Sequence, residues 1–198
     1  AMHGVRAGSD PPRAALYPNI NYSINNRPFP LPLFMHDSIA QALAAQGNHE
    51  LFAAHSYKAL ALWCSVHEYN GFAGFFEKQA EEEREHADKF FDHLLDRDYV
   101  PILDAMDAPR NEFGTLVEVA GHAAELERLN SEKIRACYKL ALEVPDYDCQ
   151  PMLMWFIEEQ IEEEAWASKM VTLTERAQCS GALYNLDRHI EKELAEDE

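Results

Sequence analysis

The chain has 198 residues, enough for one domain with a sizeable core, and 47% of them are hydrophobic. Its formal net charge of −18 argues against nucleic acid and anionic membrane as partners and favours cations. No apolar run reaches the roughly 18 residues that a membrane-spanning helix needs, and the first residues lack the apolar core of a secretory signal.

Residues 1–34 are rich in proline (Pro11, Pro12, Pro18, Pro28, Pro30 and Pro32), with Asn19, Asn21, Asn25 and Asn26 between. Proline fixes φ and removes a donor, so the stretch is predicted to be an extended arm rather than a helix. Tyr17, Ile20, Tyr22, Phe29 and Leu31 give it apolar mass to lie on a surface. Arg6, Arg13 and Arg27 against Asp10 resemble the tail of an organelle-targeting segment. The predicted organisation is this extension, then a helical domain over residues 35–198.

From Leu33 to Val100 there is no proline and the apolar period is helical. Asp37 or Ser38 is the predicted cap of a first helix that runs to about His67. Asn70-Gly71 reads as a tight turn, followed by a second helix from about Phe72 to Arg97. Residues 98–112, with Pro101 and Pro109, form a long connection. A third helix runs from about Glu112 to Glu143, where Pro145, Asp146 and Asp148 break it. A fourth runs from Pro151, a favourable first-turn residue, to about Gln178. Ser180-Gly181 ends it, and a short amphipathic helix follows over about 182–194. Short joins make antiparallel neighbours, and a crossover of this length sets the second and third helices parallel. Cys64, Cys137, Cys149 and Cys179 form no Cys-x-x-Cys pair and read as reduced thiols in a reducing compartment.

Each long helix carries an acid on its apolar face. Glu50 lies among Ile39, Leu43, Ala54, Tyr57, Ala61 and Cys64. Glu83 and His86 lie among Phe72, Phe76, Ala80, Ala87, Phe90 and Leu94. Glu127 lies among Leu116, Ala120, Ala123, Ile134 and Tyr138. Gln160 and Glu163 lie among Met152, Phe156, Ala167 and Met170. A buried carboxylate needs a counter-charge or a proton, and no Lys or Arg is expected on these faces near the acids. Two like charges ~4 Å apart cost on the order of 4 kcal/mol at an effective dielectric of 20, so divalent metal is the natural remedy. Oxygen-rich ligation with one imidazole suits iron or manganese better than structural zinc. Glu83 and His86 form Glu-x-x-His, which puts both side chains on one face.

The segments Asn48-His-Glu50-Leu-Phe, Ala80-Glu-Glu-Glu83-Arg-Glu-His86, Glu125-Leu-Glu127, Trp155-Phe-Ile-Glu-Glu159-Gln160-Ile-Glu-Glu163 and Leu183-Tyr-Asn-Leu-Asp187 together resemble the non-haem bacterial ferritins, over about residues 35–196. The resemblance implies an all-α, ferritin-like four-helix bundle with a long crossover between helices two and three and a short fifth helix. It implies a ferroxidase centre that oxidises Fe(II) with O₂. Glu50, Glu83 and His86 would hold the first iron, Glu83 would bridge to the second, and Glu127 and Glu163 would hold that one. Gln160 would lie beside it, with Tyr57 near the pair as an electron donor. Glu82, Glu159 and Glu162 match a third iron site. Trp166 stands where bacterioferritin repeats the His of Glu-x-x-His, and Arg84 stands where it supplies a haem-ligating Met, so no haem is expected. The resemblance further implies a homo-oligomeric shell of 24 subunits, with the fifth helix on the four-fold axes and Asp146 and Asp148 near the three-fold pores. The expected compartment is the cytoplasm, or an organelle such as a plastid if residues 1–34 derive from a targeted precursor. Two other readings stay open: a di-iron oxygenase or peroxidase acting on a small substrate, and a non-catalytic helical-bundle adaptor.

Overall fold

A computed structural model of the chain describes residues 35–194; the predicted arm over residues 1–34 lies outside them. The described residues form five helices: α1 (Asp37–Val66), α2 (Asn70–Asp96), α3 (Leu116–Glu143), α4 (Gln150–Arg176) and α5 (Ser180–Leu194). α1 packs on α2 and α3, α3 packs on α4, and α5 closes against α2 and α4. This is the four-helix bundle with a long crossover and a fifth helix that the sequence predicts, and no described residue is in a strand.

The helix starts are set by side chains that the local pattern only partly reveals. α1 is capped one residue earlier than expected, because His36 Nδ1 accepts the Ser38 amide at 3.3 Å. Asp37 then falls in the first turn, where its charge meets the positive end of the helix dipole. Asn70 and Gly71 begin α2 instead of forming a turn; the reversal is made at His67 and Glu68, the latter with φ 62°. α2 has no local side-chain cap. Its first amides are satisfied from far along the chain, by Asp187 of α5, whose carboxylate accepts from Gly71 N at 2.9 Å and Phe72 N at 3.1 Å. α3 begins at Leu116, four residues later than predicted, because Thr115 Oγ1 accepts the Glu118 amide at 3.2 Å while the Glu118 carboxylate reaches back to Gly114 N at 3.2 Å. That reciprocal arrangement is close to a capping box.

Two polar ties hold the connections. Asn48 on α1 donates to Ile102 O at 2.9 Å and accepts from Asp104 N at 2.9 Å, pinning the crossover along the bundle. Asp146, between α3 and α4, is buried and accepts from Arg97 at 2.7 Å and from Cys149 N at 3.3 Å. It joins the end of α2 to the start of α4, and Arg97 and the Cys149 amide outweigh its burial and hold its carboxyl below the usual range. Asp148, half exposed, lies 4.0 Å from the same guanidinium.

The core divides into two apolar halves. One gathers Tyr57, Leu60, Phe72, Phe76, Leu116, Met170 and, from α5, Leu186 and Ile190. The other gathers Ile39, Leu43, Phe90, Leu94, Ile134, Leu153 and Phe156, with Phe90 and Phe156 stacked at 4.2 Å. Each large side chain contributes roughly 1.5–3 kcal/mol by burial, and between the halves sits a layer of buried polar groups. All four cysteines are free, with Cys64, Cys137 and Cys149 buried. Among the described residues no helix is long and apolar enough to cross a membrane.

The α2–α5 contact gives a direct test. A Cβ on Gly71 would stand 1.7 Å from the Asp187 carbonyl oxygen, which is backbone and has little room to yield. Gly71→Ala is expected to lower stability by about 1–3 kcal/mol, the range for overpacking, read as a drop in melting temperature; an unchanged melting temperature contradicts the packing described.

Candidate metal centre

The four acids expected on four helices do converge in the bundle. Glu50, Glu83, Glu127 and Glu163 are 0%, 2%, 1% and 5% exposed, and His86 and Gln160 are buried beside them. Glu50, Glu83 and His86 each bring one ligand atom to within 4.8 Å of the others. Gln160 Nε2 donates to Glu127 Oε2 at 3.1 Å. Tyr57 donates its hydroxyl to the other oxygen of Glu127. Trp166, three residues after Glu163 and so on the same face, donates its indole N–H to that carboxylate at 2.5 Å.

The electrostatics are those of acids that lack a cation. Among the described residues no lysine or arginine forms an ion pair with any of the four carboxylates, and His86 lies 3.3 Å from Glu83. The expectation that no Lys or Arg lies on these faces near the acids leaves out the longer reach of Lys133. It is exposed on α3, yet its charge reaches Glu50 and slightly favours the carboxylate. Burial pushes the Glu50 carboxyl up to about 7, against the hydrogen bonds of Gln46, Glu83 and Asn130 that hold it down. Glu127 likewise rises to about 7 through burial, opposed by Tyr57 and Gln160. Glu83 and Glu163 are raised well above the ordinary carboxylate range by burial and by their acidic neighbours. Burial lowers His86 to about 4, helped by Lys89, so its imidazole is neutral and can offer a lone pair. The ring is fixed edge-on between Trp155 and Phe156 at 5.6 and 5.5 Å. Burial and the nearby carboxylates keep the Tyr57 phenol protonated.

A second cluster adjoins the first. Glu82, His86 and Glu159 bring ligand atoms within 4.8 Å of one another at a partly exposed position. Both carboxyls are raised, first by burial and then by acidic neighbours that include Glu162. Of the three acids expected there, Glu82 and Glu159 share this cluster with His86, while Glu162 lines the same cavity. That cavity, of about 490 Å³, is bordered by Glu82, Glu159, Glu162, Glu163, Trp166 and Lys169, among others.

Carboxylates on four helices, one neutral imidazole and no ion-paired lysine or arginine make a donor set for hard divalent cations of the iron and manganese kind. The Ferritin-like domain family matches residues 40–177. This chain belongs to the ferritin family. A bacterial non-heme ferritin of Staphylococcus aureus is 34% identical over 154 residues, covering 77% of this chain and 93% of the relative. Another, from Staphylococcus epidermidis, is 40% identical over 124 residues, covering 63% of this chain and 75% of the relative. An open-pore ferritin from the archaeon Archaeoglobus fulgidus superimposes with a TM-score of 0.77 at 27% identity, covering 82% of this chain and all of that one. The ferritin chain is therefore of the non-haem bacterial type.

Three residues of the ferritin's polar layer escape a reading based on acids alone. Gln46, Asn130 and Ser131 are buried and bonded into the site. Their signal is their spacing: Gln46 precedes Glu50 by four residues, and Asn130 and Ser131 follow Glu127 by three and four, the steps that share a helix face.

The raised carboxyls predict how the metal-free protein responds to pH. Glu50 and Glu127 hold protons up to about 7, whereas in the unfolded chain they release them near 4.5. Their contribution is full below about 4.5 and is lost as pH rises through about 7. Burial of His49 and His86, each lowered to about 4, works the other way up to about 6.5, so the chelator-treated protein should show its net loss, on the order of a few kcal/mol, between pH 6.5 and 8, and a divalent cation should restore it at pH 8. Thermal melts at the two pH values check this; metal-free stability that rises with pH across that range contradicts it.

Proposed function

We propose that this ferritin-family chain oxidises Fe(II) with O₂ at a di-iron centre inside the subunit and stores the ferric product in a hollow oligomeric shell. Iron storage with ferroxidase activity goes with membership of the family, and the site supports its extension to these residues. The observation that carries the reading is the convergence of Glu50, Glu83 and His86 within 4.8 Å, with Glu127 and Glu163 buried in the same layer and, among the described residues, no ion-paired lysine or arginine to neutralise them.

Iron is the substrate here. Glu50 and His86 hold the first Fe(II), Glu83 bridges, and Glu127 and Glu163 hold the second, with Gln160 beside it. Displacing protons from these raised carboxyls is the cost of binding, and two divalent charges offset it. Two Fe(II) give one electron each, so O₂ gains two. Carboxylates favour the harder Fe(III) product, whose hydrolysis releases protons to the surrounding acids. Tyr57, bonded to Glu127, stands where it can supply a further electron. Glu82 and Glu159, with Glu162 at the cavity wall, form a third position through which iron passes toward the store.

The assembly proposed is a homo-oligomer of 24 subunits, with α5 on the four-fold axes. Asp146, tied to Arg97 and to the Cys149 amide, acts first as a structural joint near the three-fold pores. The free thiols suit the reducing cytoplasm.

Glu83→Ala is expected to slow the fast phase of Fe(II) oxidation at least about tenfold, on the scale of lost ligand interactions, with the fold retained. Stopped-flow absorbance after mixing with aerated Fe(II) reads this directly, and a parental rate removes the bridging role. Glu159→Ala should leave that first phase intact and change later turnover; loss of the first phase argues against a separate third position.

A further inference from the structure

Behind Glu50 runs a line of side-chain amides that the metal ligands do not account for. Gln46 Nε2 donates to Glu50 Oε1 at 2.8 Å and to Asn130 Oδ1 at 2.6 Å. Asn130 Nδ2 donates to the other oxygen of Glu50 at 2.8 Å and to Gln160 Oε1 at 3.4 Å. Gln160 Nε2 in turn donates to Glu127 Oε2 at 3.1 Å and Ser131 Oγ at 3.2 Å. The order is head to tail. Each amide gives its N–H to the carbonyl oxygen of the next, and the line joins Glu50 on α1 to Glu127 on α3 by way of α4.

A buried amide costs several kcal/mol unless it is paired. Gln46 and Asn130 are 3% and 1% exposed, and every one of these bonds they donate ends on a carboxylate of the site or on the next amide. A carboxylate oxygen has two lone pairs. With one amide on each oxygen, Glu50 keeps a further lone pair on both; the one that the Glu83 carboxyl uses here is released when a cation displaces that proton, and neither amide bond need break. The amides are neutral, so they orient the carboxylate without competing with the cation for its charge.

We propose that Gln46 and Asn130 are positioning residues of the metal centre: they lock both oxygens of Glu50 into the ligating orientation and, through Gln160, set Glu50 and Glu127 relative to each other. This rests on the reading of the site as a di-iron centre and adds to it the device that aligns its two ends. Outer partners of metal ligands are worth tenfold to a hundredfold in metal affinity, and the same scale applies here. Gln46 and Asn130 form one unit, so their losses are not additive.

The test uses Co(II), a redox-silent probe with a visible spectrum, titrated into the whole assembled protein. Parent, Asn130→Leu, Gln46→Met and the double variant are compared. Both single variants are expected to bind Co(II) about tenfold to a hundredfold more weakly, with an altered ligand-field spectrum that a merely structural loss would not produce. The double variant should be little worse than the poorer single one. Gln46→Met keeps the side chain's length and removes only the polar end, so it reads the same property if Asn130→Leu fails to fold. Parental affinity and spectrum in the folded variants overturn the positioning role and leave the di-iron reading standing. A parent that binds no Co(II) overturns both.

Discussion

Four carboxylates and one imidazole occupy a layer between two apolar halves of a helical bundle, and most of the molecule is arranged around the cost of that layer. Without a cation the acids survive by holding protons, which is why burial lifts Glu50 and Glu127 to about 7 and Glu83 and Glu163 well above their usual range. Proton and cation therefore compete for the same oxygens. Cation binding at such a site would release protons, so its affinity would rise with pH.

The scaffold holds the layer with ties that lie outside it. Asp187 on α5 caps α2 and sets the register of the helix that carries Glu83 and His86. Asp146 joins the end of α2 to the start of α4, the helix that carries Gln160 and Glu163. Asn48, two residues before Glu50, fastens the crossover that lets α3 bring Glu127 into place. Phe90 stacked on Phe156 closes one side, and Tyr57 near Phe76 and Trp166 closes the other. Acids fixed to helices cannot move apart easily, so their mutual repulsion is kept available for cations.

Much of this is legible in the sequence because an acid on an apolar helix face is a local contradiction. The 3.6-residue period locates the faces, and Glu50, Glu83, His86, Glu127, Gln160 and Glu163 stand out against them. The boundaries were less legible where long-range partners decide them. Nothing near Asn70 announces that Asp187, more than a hundred residues later, caps α2, so Asn70-Gly71 reads as a turn; Gly71 is required instead by the close approach of α5. Gln46 and Asn130 were hidden for a different reason. Neutral amides on a buried face do not conflict with it as acids do, and their partners belong to other helices. The reach of Lys133 to Glu50 is likewise a matter of three-dimensional distance and leaves no mark on the helix pattern.

If the buried acids hold iron, anomalous scattering from an Fe(II)-soaked crystal should show two strong peaks between the four helices, one against Glu50 and His86, one against Glu127 and Glu163, with Glu83 between them. An empty layer, or Glu50, Glu83 and Glu127 turned outward to solvent, would contradict it.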